Sequence, residues 1–282
     1  MSKITNVLLI TYDDAAAARL SIPRLLETLD ERSTVWLWHN GSDTETLEVA
    51  RRFSREPGVE RFHNSPENLG LRTPINWLWT ESEASYLSKV DDDCLVSPGW
   101  LQTLRSAHED WANFGAIGSW RHYPDEFIPE AAQEKIQSYP GGHRILRNHW
   151  VQGSGHLLKR SDVLTFGPLA DGMSFTDWCL KIARAGRHNG FYYPFIFEDH
   201  MDDPRSANSL IRSDADLQRR MPLTAARNSV STLAEWDERN RNAARLLQEA
   251  SLDIRKYYGW RRKRGHMTRR IKNYLSHKNV TW

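Results

Sequence analysis

Three consecutive carboxylates, Asp91, Asp92 and Asp93, follow directly on the stretch Tyr86-Leu87-Ser88-Lys89-Val90 and precede Cys94-Leu95-Val96-Ser97-Pro98-Gly99. Adjacent like charges repel, so such a cluster at the end of a buried strand calls for a counter-cation or a solvated cap. Mg²⁺ and Mn²⁺ suit it: both are hard ions that take carboxylate oxygens and share their remaining positions with water and a substrate's phosphates. The competing reading is a solvated turn in which Ser97 caps the next helix.

The elements that would position this cluster alternate regularly. Residues 6–12 form a continuous apolar run suited to a central parallel strand. Asp13-Asp14 opens a helix whose Leu20, Ile22, Leu25, Leu26 and Leu29 recur at helical spacing, with Pro23 as a kink or restart. Residues 35–39 read as a second strand, and Asn40-Gly41-Ser42-Asp43 is turn chemistry leading to a helix over 44–54. A third strand over 59–62 and a helix over 74–83 lead to the strand that the three aspartates close. This alternation predicts an α/β fold with a mostly parallel sheet, helices on both faces, and ligand sites beyond the carboxyl ends of the strands. Residues 40–43 and 91–93 both fall there.

The second half is less regular. It reads as a helix over 98–108, a strand over 115–118, and a loop-rich excursion over 121–147 that could cover a substrate. Residues 150–158 read as a strand interrupted by Gly153 and Gly155, where a ligand or another backbone approaches closely. A helix over 177–185 ends at Gly186, and a strand over 190–197 delivers Glu198-Asp199-His200 to its end. Residues 201–253 are polar and helical in pattern, with Leu233, Trp236, Asn240, Ala243 and Leu247 as the packed stripe.

Of 282 residues, 38 are Lys or Arg and 36 are Asp or Glu. Residues 254–282 hold ten of the basic residues and no acidic one, so a body of net charge −8 carries an arm of +10, suited to an anionic partner. No apolar run approaches the roughly 20 residues that span a bilayer, and residues 1–20 lack a basic segment followed by an apolar signal core. A cytoplasmic protein, or one peripheral to a membrane, is the expectation. Cys94 and Cys179 are too few for a disulfide framework or a zinc site. The expected organisation is a catalytic domain over 1–205, a helical extension packed on it over 206–253, and a basic tail over 254–282.

Taken in order, residues 7–13, Asn40-Gly41-Ser42, Asn68-Leu69-Gly70 with Asn76, Lys89-Val90-Asp91-Asp92-Asp93, Gly153-Ser154-Gly155, Asp177-Trp178 with Gly186, and His200 resemble a family 2 glycosyltransferase of the GT-A fold. The resemblance covers residues 6–205. It implies transfer of a sugar from a nucleotide-diphosphate donor, with Mn²⁺ or Mg²⁺ bridging the two phosphates. Loss of a nucleoside diphosphate develops negative charge, which a carboxylate-held metal stabilises without a proton.

On this reading Asp93 is the metal ligand, Asp91 serves the ribose or a metal-bound water, and Asp92 is solvent-facing or structural. His200 is a further metal ligand or else a surface histidine. Asn40, Ser42 and Asp43 face the nucleobase or ribose or form an ordinary turn, and Thr11 and Asp13 flank the same pocket or cap a helix. The pattern departs from the family at the general base: inverting members carry a Glu-Asp pair where Ser174 and Phe175 stand. Asp177 remains as the base, with a helix N-cap as its alternative, and a shifted base, a retaining mechanism or an inactive descendant stay open. Acceptors implied by the resemblance are glycans, lipid-linked sugars, proteins or a modified nucleic acid. The reading from another class is a binding protein that has lost turnover and holds nucleic acid or anionic membrane through a tail helix with Met267, Ile271, Tyr274 and Leu275 on one face.

Overall fold

The computed structural model describes residues 4–259. Strands β1 (Thr5–Thr11), β2 (Ser33–Asn40), β3 (Val59–Ser65) and β4 (Tyr86–Asp91) lie parallel in the order β3-β2-β1-β4, linked by α1 (Ala15–Glu27), α2 (Thr44–Phe53) and α3 (Arg72–Glu81). The chain continues through β5 (Cys94–Val96), α4 (Trp100–Asp110), β6 (Phe114–Gly118), α5 (Pro129–Ala132), β7 (Ile136–Ser138), β8 (Arg144–Asn148), β9 (His156–Lys159), α6 (Arg160–Phe166), α7 (Phe175–Arg184), β10 (His188–Tyr193) and β11 (Glu198–His200). Three further helices follow: α8 (Asp214–Arg220), α9 (Leu223–Arg227) and α10 (Leu233–Glu249).

The large sheet extends from β4 as β9-β6-β10-β8-β7, and among the described residues only β8 and β9 oppose the common strand direction. The expected α/β fold with a mostly parallel sheet is therefore the observed one. β1 lies inside it and is buried along its whole length. Because successive strand side chains alternate between faces, Val7 and Leu9 enter a core with α1, α2 and α4, whereas Leu8 and Ile10 enter one with α3 and α7. Pro23 sits inside a continuous α1, whose N-cap is Asp14, accepting from the Ala17 N–H at 3.0 Å.

Five expectations need correction. The 121–147 excursion is not mainly loop, because Ile145 and Leu146 are buried in β8, which pairs with the otherwise open side of β10. The strand expected over 150–158 is confined to β9, since Gly155 turns the chain at φ +61° just before it. The strand expected over 190–197 stops at Tyr193, before Pro194, which has no N–H to donate; Glu198–His200 pairs instead with β5 in a separate two-stranded ribbon. Ser97 does not cap the next helix: its hydroxyl donates to Phe197 O, and Gly99 is the N-cap of α4. On α10 the buried stripe is Trp236, Asn240, Ala244 and Gln248; Leu233 and Leu247 pack half-buried beside it as expected, and Ala244 rather than Ala243 is the buried alanine. Gln248 sets that register, accepting from Ile128 N–H at 2.7 Å and donating to Glu126 O at 2.8 Å.

No helix among the described residues is long and apolar enough to cross a membrane. The tail face of Met267, Ile271, Tyr274 and Leu275 lies outside the described residues.

Candidate active site

β4 is buried from Leu87 to Val90 and delivers Asp91 to the carboxyl edge of the sheet, where a turn at Asp92 and Asp93 leads into β5. Each carboxylate has its own partner. The buried Lys89 ammonium contacts Asp91, whose N–H donates to Ser154 Oγ at 3.0 Å. Asp92 Oδ2 accepts from the Tyr12 N–H at 2.8 Å, which ties the acidic turn to the end of β1, so Asp92 is structural rather than solvent-facing. Asp93 Oδ2 lies 3.6 Å from His200 Nδ1, and Asp93 Oδ1 accepts from the Cys94 thiol at 3.3 Å. β11 brings His200 there because it pairs antiparallel with β5, placing His200 opposite Cys94.

The charges interact strongly. Burial, then the neighbouring Asp93, raises the Asp92 carboxyl well above its usual range, and burial with Asp202 and Asp91 also raises Asp93. Burial disfavours the His200 imidazolium, but Asp202 and Asp93 outweigh it and lift its pKa to about 10. The site thus demands a positive charge, which a protonated His200 supplies when no metal does. Burial and Asp93 push the Cys94 thiol well up, so it stays a neutral donor.

The ligand atoms of Asp93, Cys94 and His200 lie within 4.8 Å of one another. His200 Nδ1 and Asp202 Oδ1 touch, yet both are buried without a well-directed hydrogen bond. A carboxylate, an imidazole and further carboxylates beside an unsatisfied ring nitrogen fit a divalent cation of the Mn²⁺ type.

These groups wall a cavity of about 690 Å³ whose lining includes Asn40, Asp91, Asp93 and His200. Of the sequence candidates, these four are the ones brought together. Thr11 is a correction: it is fully buried, with its hydroxyl 3.0 Å from His39 Nδ1, so it shapes the wall from behind. Asp13 and Asp43 likewise do not line the cavity. Asp43 N–H donates to Asp13 Oδ1 at 3.2 Å, and Asp43 is the N-cap of α2. Ser42 is exposed on the same turn and also outside the lining. Asn40 donates to Asn68 Oδ1 and Gly70 O, each at 3.1 Å, and so orders the loop that borders the cavity. Asp177 lies outside the lining, in the first turn of α7, where the Ser174 N–H and hydroxyl donate to its Oδ2 at 3.2 and 2.7 Å.

Several cavity residues receive no role from the sequence, Ser154 among them although it stands in the Gly153-Ser154-Gly155 stretch. Gln152 and Ser154 flank Gly153 in the stretch already marked by its glycines, so a signal existed. Arg220, which contacts Asp14 across 206 residues of chain and closes the α8 side of the cavity, carried none.

The sequence profile of Glycosyl transferase family 2 matches residues 6–162. No curated protein sequence matches the chain. Among solved structures, a mannosyltransferase from Pyrobaculum calidifontis in complex with GDP-Man and Mn²⁺ is similar with TM-score 0.58 and 15% identity, over 95% of this chain and 84% of that one. TarS of S. aureus is similar with TM-score 0.55 and 10% identity, over 71% of this chain and 37% of that one. GalNAc-T7 with UDP, GalNAc and Mn²⁺ gives TM-score 0.54 and 11% identity, over 70% and 44%. The chain thus spans less than half of the last two, and the likeness establishes the GT-A glycosyltransferase fold.

Proposed function

The chain belongs to glycosyl transferase family 2, and on that premise we propose that it transfers a sugar from a nucleoside-diphosphate donor with a divalent cation held by Asp93 and His200. The observation that carries this reading is the convergence of Asp93 and His200 on one cavity wall, beside the carboxyl end of β4, in a pocket whose charges call for a cation. Mn²⁺ bound in two of the similar structures supports the choice of ion. When bound, the ion would stabilise the charge that develops on the departing nucleoside diphosphate.

The protein's own groups do the rest. Lys89 fixes the Asp91 carboxylate, and the Tyr12 N–H fixes Asp92, so the acidic turn is held before any ligand arrives. Asp177 is the base for an inverting transfer, taking the acceptor hydroxyl's proton. Its support is the family resemblance of Asp177-Trp178; Phe175, two residues before it, stacks on His156 at 4.2 Å and so packs the first turn of α7 beside β9, the strand that follows the Gly153-Ser154-Gly155 loop.

A thermal-shift panel of UDP and GDP, each with and without Mn²⁺, tests the reading. One nucleotide should stabilise the protein only with Mn²⁺, by about 2.7 kcal/mol at a hundred times its Kd. Stabilisation by none of the pairs would overturn it.

A further inference from the structure

Glu198 is fully buried and accepts from three neutral donors: the Ser119 hydroxyl, the Ser154 hydroxyl, and Gln152 Nε2 at 2.7 Å. The fit is tight. A Cβ on Gly155 would lie 2.1 Å from Ser119 Oγ and 2.2 Å from Glu198 Oε2, so only glycine lets the loop close over this carboxylate.

A carboxylate accepts and does not donate, so the Gln152 amide can turn only its nitrogen toward Glu198. Its oxygen is thereby committed to the other side, where Gln152 Oε1 is buried with no partner among the described residues. A buried carbonyl oxygen without a donor is costly and rare, and this one belongs to a residue that lines the same cavity as the acidic turn and Arg121. Two further links tie it to the acidic turn and to His200. Ser154, held by Glu198, accepts from the Asp91 N–H, and Glu198 and His200, two residues apart on β11, project to the same face of that strand.

We propose that Gln152 is a specificity residue whose Oε1 accepts a hydrogen bond from a hydroxyl of the donor's sugar, and that Glu198 is the positioning residue that fixes the amide in that orientation. The inference rests on the nucleotide-sugar reading above. Ser154 makes the arrangement one unit, since the same carboxylate orients both the acidic turn and the sugar acceptor.

The test is calorimetric binding in Mn²⁺ of UDP-glucose, UDP-N-acetylglucosamine and GDP-mannose, each against its nucleoside diphosphate, to the full chain. Gln152→Met, similar in size but without the acceptor, should weaken the preferred nucleotide sugar about tenfold and leave the nucleoside diphosphate within about twofold, in line with one lost hydrogen bond to a buried acceptor. Glu198→Gln should show the same selective loss, and the double variant no more than either alone, because one acts through the other. If Glu198→Gln does not fold, the Gln152→Met result alone decides. Equal weakening of both ligands, or none, would overturn the proposal in favour of a loop-building glutamine satisfied by water. A wild-type protein that binds the nucleoside diphosphates but none of the sugars overturns the specificity role, whereas one that binds neither sinks the nucleotide-sugar reading itself.

Discussion

Asp177 holds two roles that substitution can separate. As N3 of the capping box with Ser174 it needs only an acceptor oxygen, which an asparagine retains; as a base it needs a titratable carboxylate. Asp177→Asn should therefore leave the melting temperature nearly unchanged while turnover falls by at least about a hundredfold with donor affinity intact. Full turnover in that variant would leave Asp177 as a cap alone. At this scale the sequence was informative where charge was concentrated, since three adjacent aspartates and a histidine at a strand end are visible as chemistry. It was uninformative about Thr11, because a threonine after an apolar run reads the same whether its hydroxyl faces a ligand or, as here, His39.

At the scale of elements, β1 and β2 were legible as largely apolar runs, and β3 and β4 as short stretches bounded by turn and helix signals, and their alternation with helices fixes a parallel order. β7, β8 and β11 were not, since each is five residues or shorter and carries polar side chains whose burial depends on distant partners; of the strand read over 150–158 only β9 formed. α10 shows how such a distant partner sets an element. Its last carbonyls would be left without donors, but the buried Lys135 ammonium donates to Leu247 O at 2.8 Å, Gln248 O at 3.1 Å and Ala250 O at 2.9 Å. Burial holds the Lys135 pKa down to about 8, so at neutral pH the ammonium persists. Lys135→Met should cost about 2 kcal/mol and speed amide exchange over residues 244–250. Unchanged exchange there would show that packing of Trp236 and Gln248 holds the helix without this lysine.

At the scale of the whole molecule, buried histidines set the acid limit. Burial, reinforced by Lys159, Arg121 and Lys89 respectively, lowers His108 to about 3, His122 to about 2 and His156 to about 3. Their folded pKa values lie below the unfolded value near 6.5, so between about pH 6.5 and 3 the unfolded chain binds more protons and stability is lost as pH falls. His200, raised to about 10, is protonated in both states across that window; its contribution is full below about pH 6.5 and is lost progressively as pH rises from there to about 10. The melting temperature should drop steeply from pH 6.5 to 4.5, and His108→Gln should flatten the slope by up to about 1.4 kcal/mol per pH unit. A melting temperature that is constant over this range would mean that these rings reach solvent. The account as a whole rests on a cation at the acidic turn, and Asp93→Asn tests it most directly, because the exchange removes the charge and keeps the shape. Titrating Mn²⁺ into the wild type and this variant in the presence of saturating nucleoside diphosphate should show ordinary saturation in the first and at least a tenfold to hundredfold loss of Mn²⁺ affinity in the second, with an unchanged melting temperature. Equal Mn²⁺ affinity in the two proteins would contradict the account.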